Sequence, residues 1–177
     1  MASSSATPSL RALPGPGRIF VPAIILAALG LCVAESIWAS GPRFDLRLFL
    51  GAALVCAASS SLEFVGSRHF SHQPNLLVFF AAAVLLPAWA LAPLAFLCVG
   101  PGWSVRRPPW FLAAFNVANY LLAGLAAHEL IEFDATLRPG AGVTMSTVVA
   151  LAIAVVVFVA INHALIGAVV ASAGGRG

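Results

Sequence analysis

NLLVFFAAAVLLPAWALAPLAFLCVG, Asn75 to Gly100, decides the architecture of this chain. Read as one helix it has length to spare, but Pro87 and Pro93 interrupt it, and a proline inside a helix removes a backbone hydrogen bond and clashes with the preceding turn. Read as two, each half is only ~20 Å long at ~1.5 Å per residue, short of a ~30 Å hydrocarbon core. Two short helices joined by a tight turn, or a re-entrant hairpin, suit a bundle in which other protein covers the break. Charge arbitrates. If the piece goes in and back out, Arg11, Arg18, Arg68, Arg106, Arg107 and Arg176 share one side, and Arg43, Arg47 and Arg138 share the other with Asp45 and Asp134. That asymmetry follows the positive-inside rule, and it vanishes if the piece is a single span. The turn also places Trp89 at the interface that Trp prefers. The in-and-out reading follows.

Working outward, the composition sets the class. Of 177 residues, 61% are hydrophobic and 8% charged, where a soluble domain carries ~25% charged residues. Mean hydropathy is +1.01. The net charge is +3, and every basic residue is Arg. The arginines are scattered through loops and termini, which speaks for membrane topology and against nucleic acid as a partner. Residues Met1 to Gly17, rich in Ser, Ala, Pro and Gly, read as a flexible cytoplasmic tail. Residues 18–173 read as one polytopic transmembrane domain, and 174–177 as a short cytoplasmic C-terminal end.

Within that domain six helices are expected. Ile19 to Ala39 is the first span. A cut after Ala39 would put the bulky Ile37 at the −3 position of a signal-peptide site, so it reads as an uncleaved helix. Leu46 to about Val65 is the second, carrying Ser59, Ser60, Ser61 and Glu63 toward its end. Arg68, His69, His72 and Pro74 make a loop. The hairpin at 75–100 supplies two short helices, and Pro101 to Pro109 a loop. Trp110 to about Phe133 is the next span, Asp134 to Gly142 the last loop, with Pro139 and Gly140 as breakers. Val143 to Ala171 is a long, Val-rich final helix. The fold class is all-α: an integral membrane bundle of about six helices including a short Pro-turn hairpin, multi-pass, in the cell membrane, with both termini cytoplasmic.

The fifth span, WFLAAFNVANYLLAGLAAHELIEF (Trp110 to Phe133), carries the candidate site. Amides at membrane depth are satisfied by other protein, water or a ligand. Asn116, Asn119 and Tyr120 fall on one side at about 100° per residue, and Ala123 and Ala127 continue that face. Small residues let a neighbouring helix approach and amides bond across, so the face is either an interhelical seam or a ligand pocket. Asn162 and His163 lie inside the last helix. Asn162 is the expected partner of Asn116, and His163 is expected as a neutral side chain packed in the bundle.

His128-Glu129-Leu130-Ile131-Glu132 is not the zinc-protease motif, which needs a second His where Glu132 stands. A helix end reaching interfacial water is the expected reading. Glu35 and Glu63 sit near span ends, where an ionised group costs little. Cys32, Cys56 and Cys98 lack CxxC spacing and read as small buried residues. No nucleophile elbow, phosphate-binding loop or dinucleotide fingerprint is present in the sequence. The expectation is therefore no enzyme, no catalytic or metal-binding residue and no cofactor, with the bilayer as partner, and with it a homo-oligomer or a cytoplasmic signalling protein.

Two stretches carry a family resemblance. Asn75 to Leu97, the Arg-Pro loop after it, and FNVANYLLAGLAAHEL (Phe115 to Leu130) resemble the N-terminal membrane region of actinobacterial-type cyclic-di-GMP signalling proteins with GGDEF or HD-GYP output domains. The matching positions are Pro87, Arg107-Pro108, Phe115-Asn116 with Ala118, and Asn162. The similarity covers roughly Asn75 to Ala171, and the 177 residues hold no output domain of either kind. The resemblance implies a sensory input module. The length and helix number are also similar to those of substrate-binding subunits of energy-coupling-factor vitamin transporters, which dock through small-residue motifs on the first helix. Ala27-Ala28-Leu29-Gly30 is a loose match. That resemblance implies a vitamin-like ligand held among the helices. A structural membrane protein without ligand is the third reading.

Overall fold

The computed structural model describes residues 15–38, 44–61, 64–67, 70–72, 75–133 and 144–174. It is an all-α bundle of six helices: α1 (Gly15–Trp38), α2 (Leu46–Ser61), α3 (Asn75–Leu85), α4 (Ala88–Arg106), α5 (Trp110–Phe133) and α6 (Met145–Gly174). Four of them, α1, α4, α5 and α6, are long and apolar enough to cross a membrane. Between α2 and α3 lies one short antiparallel hairpin, β1 (Phe64–Ser67) with β2 (Phe70–His72), pairing Phe64 with His72 and Val65 with Ser71. The tail as far as 14, the C-terminal 175–177, and Arg43, Arg68, Asp134, Arg138 and the other residues of 39–43, 62–63, 68–69, 73–74 and 134–143 lie outside the described residues.

The chain doubles back where the hairpin reading puts it. α3 ends at Leu85, and the helix restarts after Pro87, whose φ of −63° and ψ of 148° are extended. The Leu86 amide donates to Ala82 and the Ala90 amide to the Pro87 carbonyl, so the break leaves few backbone groups open. Leu86, Ala88 and Ala90 are fully buried, so protein covers it. The carboxyl ends of α2 and α4 and the amino ends of α3 and α5 consequently gather at one end of the bundle, which we call the Arg106 end. The α3–α4 turn lies at the other.

Three element boundaries depart from the sequence reading. Pro101 to Pro109 is not all loop: α4 runs through Pro101 to Arg106. Tertiary packing outweighs the proline there. Gly102 sits so close to α2 that a Cβ on it would fall 2.9 Å from the Ser60 carbonyl. The turn is then closed by Arg107 in the left-handed region (φ 49°), whose amide donates to the Trp103 carbonyl at 2.7 Å, while Trp103 Nε1 donates to the Pro108 carbonyl at 3.0 Å. The second helix stops at Ser61 rather than Val65, after Ser59 and Ser60 turn their hydroxyls onto the Val55 and Ala57 carbonyls; such local bonding offers the backbone an alternative to the helix ladder. α1 starts at Gly15, inside the segment read as tail.

α5 is the hub. It packs on α1, α3, α4 and α6, while α2 packs on α3 and α4. Its inner positions Ala118, Ala123, Gly124 and Ala127 are small, so neighbours approach closely. The core is filled by Phe79, Leu86, Leu91 and Leu94 from α3, α4 and the turn between them, each fully buried. Phe79 meets Tyr120 edge-on at 5.3 Å and stacks on Phe158 at 6.4 Å, joining α3 to α5 and α6. The outer surface is apolar too: Ile19, Leu26, Leu54, Leu77, Val105 and Met145 are exposed. An apolar core inside an apolar exterior is the pattern of an integral membrane protein, not of a soluble bundle.

Candidate functional site

The polar residues of α5 divide between two seams. Tyr120 faces α3 and α4: its hydroxyl donates to Asn75 Oδ1 at 2.9 Å, and Asn75 Nδ2 donates to the Cys98 carbonyl at 2.9 Å. One amide thus ties α3, α4 and α5 together, with both of its ends engaged and its side chain buried. Sequence alone does not single out Asn75, because both of its partners lie far along the chain.

Asn119 faces α6. Its Nδ2 donates to Asn162 Oδ1 at 3.2 Å, and both side chains are buried. The partner of Asn162 is therefore Asn119 and not Asn116. Asn119 Oδ1 has no hydrogen-bond partner among the described residues. His163 is not packed in the bundle. It is exposed on α6, and its Nδ1 lies 2.9 Å from the Val159 carbonyl, one turn back. A carbonyl only accepts, so Nδ1 carries the proton. Neighbouring residues on a helix point ~100° apart, so an inward Asn162 turns His163 away.

Asn116 opens onto a cavity of about 270 Å³ at the Arg106 end. Asn75, Tyr120, Ser59, Ser60 and Arg106 join it in the lining, with Cys98, Gly102 and Trp103 on the α4 side. The volume is just below the ~300–1,000 Å³ of small-molecule sites. Asn116 is half-buried, and its amide has no partner among the described residues. The Arg106 guanidinium reaches the Ser60 carbonyl from Nη2 at 3.3 Å, at the carboxyl end of α2. A cation there complements the partial negative charge of the helix terminus. The cavity thus offers amide, hydroxyl and guanidinium groups together at the Arg106 end of the bundle.

The acidic end of α5 is different. His128 is buried, contrary to a helix end in interfacial water, with Nδ1 donating to the Ala83 carbonyl at 2.8 Å. Glu129 and Glu132 are exposed, and Glu129 lies beside the half-buried Glu35 of α1. Among the described residues no three His, Cys, Asp or Glu side chains are grouped to hold a metal ion.

Asn116, Tyr120 and Asn75 therefore belong to one polar cavity, Asn119 and Asn162 to a closed contact beside it, and His163 to neither. Compared with protein-family profiles, curated proteins and solved structures, the chain matches none.

Proposed function

We propose that this integral membrane protein is a non-enzymatic sensory input module that takes a small polar molecule into the cavity at the Arg106 end. The observation that carries the reading is the Asn116 amide, without a partner among the described residues, in a polar cavity at the Arg106 end. The ligand contacts Asn116 and Tyr120 on α5. One residue from Tyr120, Asn119 holds Asn162 of α6. A small rotation of α5 on binding strains that bond and moves α6, whose last turn lies at the cavity's own end of the bundle. The signal leaves along α6 to a homo-oligomer partner or a cytoplasmic signalling protein, as in the cyclic-di-GMP proteins that the sequence resembles. The cavity also suits the reading as a vitamin-binding transporter subunit, in which the same molecule is cargo.

Arg18, Arg106 and Arg107 lie at the cavity end, and Glu35, Glu129 and Glu132 at the other. By the positive-inside rule the cavity end and both termini face the cytoplasm of a cell-membrane protein. A cysteine placed at Ser104 in a cysteine-free background is then labelled by an impermeant reagent only in inverted vesicles, and one at Ser36 only in right-side-out cells. The opposite pattern reverses the orientation.

Native mass spectrometry of the protein released from its own membrane tests the function. A stoichiometric small molecule is expected, lost in Asn116→Leu and retained in His163→Leu. No bound molecule, or one retained in Asn116→Leu, rules out the cavity as the site. Co-purification with an ATPase pair selects the transporter reading, and with a signalling enzyme the input module.

A further inference from the structure

α2 and α4 run parallel, and their contact has a fixed register. Ser60 meets Gly102 and Arg106 at the Arg106 end. One helical turn earlier on each helix stand Cys56 and Cys98, both essentially fully buried. That register sets the two thiols side by side across the α2–α4 contact. Ala53, Cys56 and Ser60 on α2, and Ala95, Cys98 and Gly102 on α4, are all small and buried, so the two backbones come close along this line. Close backbones are what a disulfide demands, since its Cα atoms must stand within ~7 Å. Cys98 is further fixed by the Asn75 amide on its carbonyl.

Cysteines shut in apolar packing are inert, because the thiolate is the reactive form and reagents do not reach it. Cys98 differs in one respect: it lines the polar cavity, together with the Arg106 guanidinium. The geometry points to Cys56 and Cys98 as a redox-modification site, an interhelical disulfide that forms when a quinone of the membrane oxidises the pair through that cavity. Each thiol gives up its proton and the pair gives up two electrons as the Sγ–Sγ bond forms; the quinone takes both protons and both electrons and leaves as the quinol. The bond clamps α2 to α4 and fixes one wall of the cavity. Cys32 takes no part: it is half-buried on α1.

This site stands independently of any ligand in the cavity, because the readout is a covalent bond. The full chain in lipid nanodiscs is treated with tetramethylbenzoquinone, whose blocked ring positions prevent addition to the thiols. Expected are an intact mass lower by two hydrogens, a peptide joining Cys56 to Cys98, and a Cys32 that still alkylates after unfolding. Dithiothreitol reverses the change, and the oxidised form melts higher than the reduced one. Cys56→Ala keeps the small side chain and abolishes the mass loss, whereas Cys32→Ala leaves it intact. If Cys56→Ala fails to fold, the peptide map of the natural sequence still decides. Three alkylatable thiols after oxidation, a bond to Cys32, or a bond between two chains overturns the assignment.

Discussion

At Gly124 the missing side chain is as specific as any polar group in the bundle. A Cβ there would meet Phe79 Cε1 at 2.6 Å. Phe79 is fully buried and held between Tyr120 and Phe158, so its ring has nowhere to retreat. Overpacking of this kind costs ~1–3 kcal/mol, which outweighs the ~1 kcal/mol that Ala gains over Gly in a helix. Gly124→Ala is therefore expected to lower stability by about 1 kcal/mol, measured by unfolding in mixed micelles, with recovery on adding Phe79→Leu. Gly51→Ala is the control: nothing lies within 4 Å of its Cβ position, so it gains the ~1 kcal/mol of helix propensity. A gain in Gly124→Ala equal to that in Gly51→Ala would disprove the tight α3–α5 contact.

Between α5 and α6 an apolar contact is joined by one buried amide pair, Asn119 with Asn162. Interhelical hydrogen bonds in membranes are worth ~0.6 kcal/mol on average and at most ~1.7, whereas leaving a buried polar group unsatisfied costs ~1–3 kcal/mol. Asn162→Leu strands the whole Asn119 amide and is expected to cost more than Asn119→Leu, which also removes the orphaned Oδ1. The double variant is expected to lie closer to the natural protein than Asn162→Leu does. A double-mutant cycle of unfolding free energies reads the coupling, and a coupling of zero would deny the bond any role in holding α6.

These pairings mark where the sequence stopped being informative. Hydropathy and proline position locate the six helices and the turn at Pro87, because lipid demands apolar runs and Pro87 starts a new helix. Helical period puts Asn116, Asn119 and Tyr120 near one side, but the three span enough arc to touch different neighbours. Which of the two asparagines meets Asn162 depends on the rotation and depth of α6 against α5, and no local rule fixes those. Asn75 was hidden for the same reason: its partners, Tyr120 and the Cys98 carbonyl, lie 45 and 23 residues away. The expectation that His163 packs in the bundle fails on helical period alone, since an inward Asn162 turns its neighbour outward.

The whole molecule is uneven in height. α6, with 30 residues, is ~45 Å long, whereas α2 and α3, with 16 and 11, reach only ~24 Å and ~17 Å. Asn75 begins α3 level with Cys98, and α4 continues eight residues beyond, to Arg106, a step of ~12 Å. The polar cavity is the notch that this step leaves. Lipids beside α2 and α3 face less apolar height than a ~30 Å core requires, and a bilayer answers such a shortfall by thinning, at a fraction of a kcal/mol per Å. Stability in bilayers of graded acyl-chain length is thus expected to peak below the usual length, where a plain six-span bundle of full-length helices would peak at it. The consequence is mechanical: the two short helices are expected to couple the mouth of the notch to bilayer thickness, so that stretching or thickening the membrane changes the width of that mouth.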